Sequence, residues 1–257
     1  MSPRRIPRDL IKHLEWSPGM GLPKPASTSS GGSSGSLPPT NSRLDSTIDY
    51  WSIPSVQYRG GIYIVDLAKS LLDGGNKKTQ DEWIAYAKEA QPKDEFYTGD
   101  MPLQHAIFTA TFQLEESAGK EEIRQFVKKH MFERWLMTTT RIYYQPQGST
   151  EDIIVHNKGL DEYQSRENFV FPDEYVKDST RPSNYKALLD VDNLEEINKV
   201  YQWLTEKNAY LWRNNSRTRN VEERVARFVA GSGRAWFYCD RNPSIRGASL
   251  GVRIKRA

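Results

Sequence analysis

Between Asp100 and Trp135 the chain carries two apolar stripes at helical spacing, and directly after them the pattern changes to that of strands. Leu103, Ala106, Ile107, Ala110 and Leu114 recur at three- and four-residue intervals, and after Gly119 so do Ile123, Phe126, Val127, Met131 and Trp135. Asp100 before Met101-Pro102 suits the start of the first helix, where a carboxylate accepts from free backbone N–H groups and Pro lacks one that would go unpaired. Beyond Met137, TTTRIYYQ and EDIIVH are β-branched and aromatic runs separated by PQGST, the pattern of a hairpin. Two helices packed against a sheet follow from this order. Helices beside an irregular antiparallel sheet make an α+β domain.

Other elements are marked by their ends. Asp66 is expected to cap a short helix, LAKSLL, stopped by Gly74-Gly75. Thr79-x-x-Glu82 is a capping box opening QDEWIAYAKEA, with Trp83 and Ala87 on one face. Asn193-x-x-Glu196 opens a last helix with Leu194, Ile197, Val200, Tyr201 and Leu204 on one face. A loop-rich stretch with Pro172 and Pro182 precedes it, and short strands broken by Gly, Asn, Ser and Pro follow Lys207. Upstream, PRDLIKHLEW (7–16) is a candidate helix, and the Ser/Gly/Pro-rich stretch after it has almost nothing to bury. Residues 1–43 are therefore expected to form a flexible N-terminal arm and linker, and 44–257 the folded domain.

Composition narrows the class. With 37% hydrophobic and 11% aromatic residues the chain has too much to bury to be wholly disordered, and a mean hydropathy of -0.73 is too polar for a membrane protein. No apolar run approaches the roughly 20 residues of a bilayer span. The basic start has no apolar core after it, so no signal peptide is expected, and the cytoplasm or a virus-like particle is the expected location. The one cysteine, Cys239, rules out an internal disulfide and a cysteine zinc cage within one chain.

Catalytic motifs do not assemble. His13, His105, His130 and His156 are widely separated, and no HExxH, GxSxG or Walker A loop occurs. Gly231-Ser232-Gly233 lacks the third glycine of a dinucleotide site. Asp161/Glu162 and Asp173/Glu174 are adjacent pairs whose side chains point apart. No enzyme, metal or cofactor is expected. Charge is uneven: residues 27–209 carry 20 basic and 28 acidic side chains, whereas residues 210–257 carry 11 and 3, and all but one of those 11 are Arg. The guanidinium fork suits fixed bidentate pairing, so these arginines are expected to pair with the acidic middle. A footprint for nucleic acid is the alternative.

The last fifth of the chain differs in kind. It orders Leu211-Trp212-Arg213, Arg224-Val225-x-Arg227, Arg234-Ala235, Arg241-x-Pro243 and finally Leu250-Gly251-Val252-Arg253. This set resembles the end of the formylglycine-generating-enzyme type of C-type lectin fold, where an Arg-rich stretch closes with a G-[FV]-R strand. Within that class it looks most like the variable proteins of diversity-generating retroelements. The resemblance implies a C-type-lectin-like domain whose C-terminal segment is diversified by adenine-directed mutagenesis and forms a ligand-binding surface. Residue types favoured by that mutagenesis are interleaved with the framework at Val229, Gly231, Gly233, Tyr238, Asp240, Asn242, Ser244, Ile245, Arg246, Gly247 and Ser249, and Trp236 sits in the same pattern. The formylglycine-generating enzymes rely on a cysteine pair, so the single Cys239 sets an oxidase of that kind aside.

Spacing gives an independent reading of the same stretch. Phe228, Ala230, Ala235, Phe237 and Cys239 fall at mostly two-residue intervals, and Trp236, Tyr238 and Asp240 occupy the alternate positions, as one face of a strand requires. Their composition suits a binding face, with rigid aromatics beside adaptable polar groups; the alternative turns Trp236 and Tyr238 into the core. The expected function is non-enzymatic binding of a protein or other macromolecule. Nucleic-acid binding through Trp236, Phe237 and Tyr238 is second.

Overall fold

The computed structural model describes residues 43–256, and over these the chain is an α+β fold of two sheets and flanking helices. The candidate helix over 7–16 and the linker up to Ser42 lie outside the described residues. Where a helix was expected over LAKSLL there is instead a strand. After a short β1 (Asp45–Ser46), β2 (Tyr50–Tyr58) and β3 (Gly61–Leu71) form an antiparallel hairpin. Its two-residue turn, Arg59-Gly60, has φ of 49° and 73°, and a tight hairpin needs both central residues at positive φ. The run Ile62 to Val65 favours strand, and Asp66 is no cap. It sits in mid-strand with no exposure.

What Asp66 does is tie the two ends of the domain together. Strand β11 (Leu250–Arg256) pairs antiparallel with β3, placing Arg253 opposite Asp66 and completing a four-stranded sheet β1-β2-β3-β11. Ser52 Oγ donates to Asp66 Oδ1 at 2.5 Å, Arg253 Nη2 to Oδ2 at 2.8 Å, and Lys255 Nζ lies 2.7 Å from Oδ2. Burial alone would raise the Asp66 pKa, but the bonds from Lys255, Ser52 and Arg253 outweigh it and hold the carboxyl below its ordinary value.

The second sheet has seven strands. Its members are β4 (Leu136–Tyr144), β5 (Asp152–His156), β6 (Tyr163–Glu167), β7 (Glu174–Tyr175), β8 (Ala209–Trp212), β9 (Glu222–Ala230) and β10 (Ala235–Arg241), in the order β6-β5-β4-β9-β10-β8-β7. The expected β4–β5 hairpin is present. All neighbours are antiparallel except β8 and β10, which run parallel.

Helices flank the sheets, most of them on the main core, while Trp83 of the first packs with Met137 and Val225 in a separate cluster. The capping box at Thr79 opens α1 (Gln80–Ala90), Asp100 accepts from Leu103 N at 2.8 Å at the start of α2 (Met101–Gln113), and Ser117 caps α3 (Ala118–Glu133). Trp135 does not continue the α3 stripe: it lies past the helix end at φ 56° and is 44% exposed. A short helix, α4 (Pro182–Leu189), begins at Pro182 in the stretch read as loop, and α5 (Leu194–Thr205) starts at Asn193 as expected. The centre of the core is an aromatic cluster from α2, α5 and the sheet. Phe108 meets Phe228 at 5.4 Å between ring centroids, Tyr201 meets Phe237 at 4.7 Å, and all four rings are buried. Among the described residues no helix is long and apolar enough to cross a membrane.

Asp66→Asn keeps the side chain's shape but removes the charge that Arg253 and Lys255 answer. Urea unfolding should show a loss of about 2–3 kcal/mol, less than for a fully dry pair because both cations keep some water. A carboxyl with a depressed folded pKa contributes stability above its unfolded value and loses it as pH falls. The native protein should therefore destabilise steeply below about pH 4 and the variant less so; equal acid sensitivity of the two would contradict the assignment.

Candidate functional site

Strand β10 has two unlike sides. Ala235, Phe237 and Cys239 have no exposure and face the aromatic core, while Trp236, Tyr238 and Asp240 between them are half-buried on the other side of the sheet. Burial raises the Cys239 thiol far above its ordinary pKa, so it stays neutral and apolar in character. The same alternation runs through β8, where Ala209 and Leu211 are buried and Tyr210 and Trp212 are half-buried. Register aligns Tyr238 with Trp212 on one side and with Arg227 on the other, and Trp236 with Tyr210 and Val229.

Two rows of rings and cations result. In the first, Trp212 stacks on Tyr238 at 5.3 Å and 9°, and the Arg227 guanidinium lies 4.9 Å from the Tyr238 centroid and 4.7 Å from that of Trp135. Arg241 covers Tyr238 at 5.0 Å and donates to its hydroxyl at 2.6 Å. Trp212 Nε1 donates to Asp240 Oδ2 at 3.0 Å. In the second row Arg234 lies 4.1 Å over Tyr210 and donates from Nε to the Tyr175 hydroxyl at 3.0 Å. Such stacks order long side chains on a surface and give a rigid, amphipathic face. Arg227 is only 1% exposed; burial, and next the like charge of Arg241, hold its pKa down to about 10, which still leaves it charged at neutral pH.

The twelve residues singled out from the sequence divide four ways. Trp236, Tyr238 and Asp240 lie on this face. Asn242, Ser244, Ile245 and Arg246 form the loop after β10; Asn242 Oδ1 accepts from Ser244 N at 2.9 Å, and exposed Arg246 pairs with Glu82 at 2.8 Å. Gly231 and Gly233 lie in the β9–β10 turn, at the other end of a seven-residue strand and so about 20 Å from that loop. The remaining three cannot present themselves to a ligand. Val229 is 6% exposed beneath its neighbours in mid-sheet, and Ser249, fully buried, donates to Met137 O at 3.1 Å. At buried Gly247 a Cβ would lie 2.6 Å from Trp135 O, and its own carbonyl accepts from Trp83 Nε1 at 2.8 Å. These are framework positions.

Several members of the face were not foreseen: Trp135, Tyr175, Tyr210, Trp212, Arg227 and Arg234. The alternation of β8 was a usable signal for Tyr210 and Trp212. Four C-terminal arginines pair with the acidic middle, as expected: Arg213 with Glu174, Arg246 with Glu82 and Arg253 with Asp66, each at 2.8 Å, and Arg217 with Asp152 at 2.5 Å; Arg224 instead pairs with Glu222 inside the segment.

Histidines do not gather here. His105, lowered to about 4 by burial, contacts the Tyr201 hydroxyl at 3.2 Å; His156, also lowered by burial, lies between Thr140 Oγ1 and Ala187 O. The cleft beside His105, Gln57 and Gln113 holds about 160 Å³, below the roughly 300–1,000 Å³ of small-molecule sites.

Gly231 and Trp236 are coupled: a Cβ at Gly231 would lie 2.6 Å from the Trp236 ring. Gly231→Ala should cost about 1 kcal/mol in urea unfolding as the indole is displaced. Combined with Trp236→Ser, most of that extra cost should vanish; strictly additive effects would show that the contact carries no energy. Comparison of the chain with protein-family models, with curated proteins and with solved structures finds no match.

Proposed function

We propose that the outer face of β8, β9 and β10 and the loop after it form the ligand-binding surface of a non-enzymatic protein. On this reading the scaffold is C-type-lectin-like and the surface is diversified, as in the variable proteins of diversity-generating retroelements. The observation that carries it is the strict alternation in β10, where three side chains with no exposure separate three that are half-exposed. Side chains on the outer row can change without disturbing the Phe228–Phe237 packing, so specificity and stability are separable. Gly251-Val252-Arg253 lies in the strand that closes the β3 sheet, which supports the lectin-like scaffold. A rigid floor limits the entropy lost on binding, and aromatic and arginine side chains are the types that dominate interface energies.

Nucleic acid remains the second reading because Trp236, Tyr238 and Trp212 offer half-exposed rings beside Arg241. Ion pairing of Arg213, Arg217, Arg224, Arg246 and Arg253 takes these five charges away from any stripe that a phosphate backbone would follow, which favours a protein ligand.

Sequencing the 3′ end of the gene from many cells or particles of the source population tests diversification. Substitutions should concentrate at Trp236, Tyr238, Asp240, Asn242, Ser244, Ile245 and Arg246. They should spare Ala235, Phe237, Cys239 and the buried Val229, Gly247 and Ser249. A uniform 3′ end would remove diversification and leave a binding face of fixed specificity.

A further inference from the structure

Nine buried side-chain nitrogen and oxygen atoms lack a hydrogen-bond partner among the described residues, and four of them fall on this one face: Arg227 Nε and Nη1, Trp236 Nε1 and Asp240 Oδ1. Buried polar atoms are ordinarily paired, and a local excess of unpaired ones calls for a physical reason. Arg227 is the costliest member. A guanidinium taken out of water without an anion is strongly unfavourable. The rings of Trp135 and Tyr238 answer the faces of its plane, but cation–π contact leaves the N–H edge of that plane free. That edge is a fork whose geometry matches a carboxylate.

We propose that Arg227 receives the carboxylate of an acidic side chain from a polypeptide ligand, with Trp236 Nε1 and Asp240 Oδ1 completing the contact as donor and acceptor. The inference rests on the reading of this surface as a ligand-binding face and names what it binds. One observation favours a polypeptide over a nucleic acid. Asp240 Oδ1 has no hydrogen bond, although Arg241 Nε lies 3.7 Å away, and a peptide backbone N–H can donate to it whereas a phosphate backbone has no donor to offer. The neighbouring Arg234 and Arg241 make the face cationic and so complementary to an acidic segment. Trp135, which covers the guanidinium at 4.7 Å, is itself 44% exposed and is therefore the wall of this site that a ligand meets from solvent.

The test is selection of a displayed random-peptide library on the full chain, keeping peptides whose binding is lost in the Tyr238→Ala protein. These should be enriched in Asp and Glu, and replacing the acidic residue by its amide should weaken binding about tenfold or more. Arg227→Lys, which keeps the charge and loses the fork, should erase most of that difference. If the lysine protein does not fold, the acid-against-amide comparison on the unaltered chain decides alone. Equal binding of acidic and amide peptides would overturn the inference and leave the binding face standing. No peptide dependent on Tyr238 would overturn the face itself. Displacement of the peptides by a single-stranded oligodeoxynucleotide at lower concentration would assign the cation to phosphate instead.

Discussion

Asp66 is buried in the middle of β3 and is held by Ser52, Arg253 and Lys255, so the closing strand is fixed to the first hairpin by charge as well as by its ladder. That attachment decides where the preceding residues run. Coming back from β11, Ser249 and Gly247 are pinned by Met137 O and Trp83 Nε1, and Met137 N donates to Ala248 O at 2.8 Å. Upstream of Gly247 the anchoring is lighter: Asn242 to Arg246 form a loop held by its own turn, by Arg246 on Glu82 and Lys77 O, and by Ile245 packed on the Trp83 cluster. A segment anchored this firmly at one end, and by the β9–β10 ladder at the other, can vary in between without losing its path.

The same division appears across the sheet. Inward residues of β9 and β10 pack on α2 and α5 through Phe108 and Tyr201, where losing a ring costs about 3–5 kcal/mol. Outward residues touch mainly one another, as ring-on-ring and ring-on-cation contacts that contribute about 0.5–1.5 kcal/mol each. The difference in scale is what separates a framework from a surface free to be replaced. Arg227 is an exception, since it faces outward in the alternation yet is roofed by neighbouring rings, with two of its nitrogens making no hydrogen bond.

Local signals in the sequence served the helices well. Thr79, Asp100 and Asn193 accept from their own first turns, and contacts three residues apart are visible in any reading of the chain. The period-two pattern in 235–240 likewise separated Phe237 from Tyr238. Failures came where the deciding partner is remote. Asp66 reads as a cap until Arg253, 187 residues on, is brought beside it. Ser249 looks like any surface serine until Met137, 112 residues away, buries it. The stripe ending at Trp135 broke because the backbone there turns left-handed, which periodicity does not register. Arg227 was read only as part of the Arg224-Val225-x-Arg227 set, because its burial comes from the Trp135 ring after α3 and the Tyr238 ring on the adjacent strand.

Saturation mutagenesis of residues 229–253, scored only for folding by protease resistance of the displayed domain, tests most directly the separation of framework from surface. Trp236, Tyr238, Asp240, Asn242, Ser244 and Arg246 should accept most residue types, while Ala235, Phe237, Cys239, Gly247, Ser249, Leu250 and Val252 should accept few. Equal intolerance of the two sets would contradict the account, because the outer row would then belong to the core.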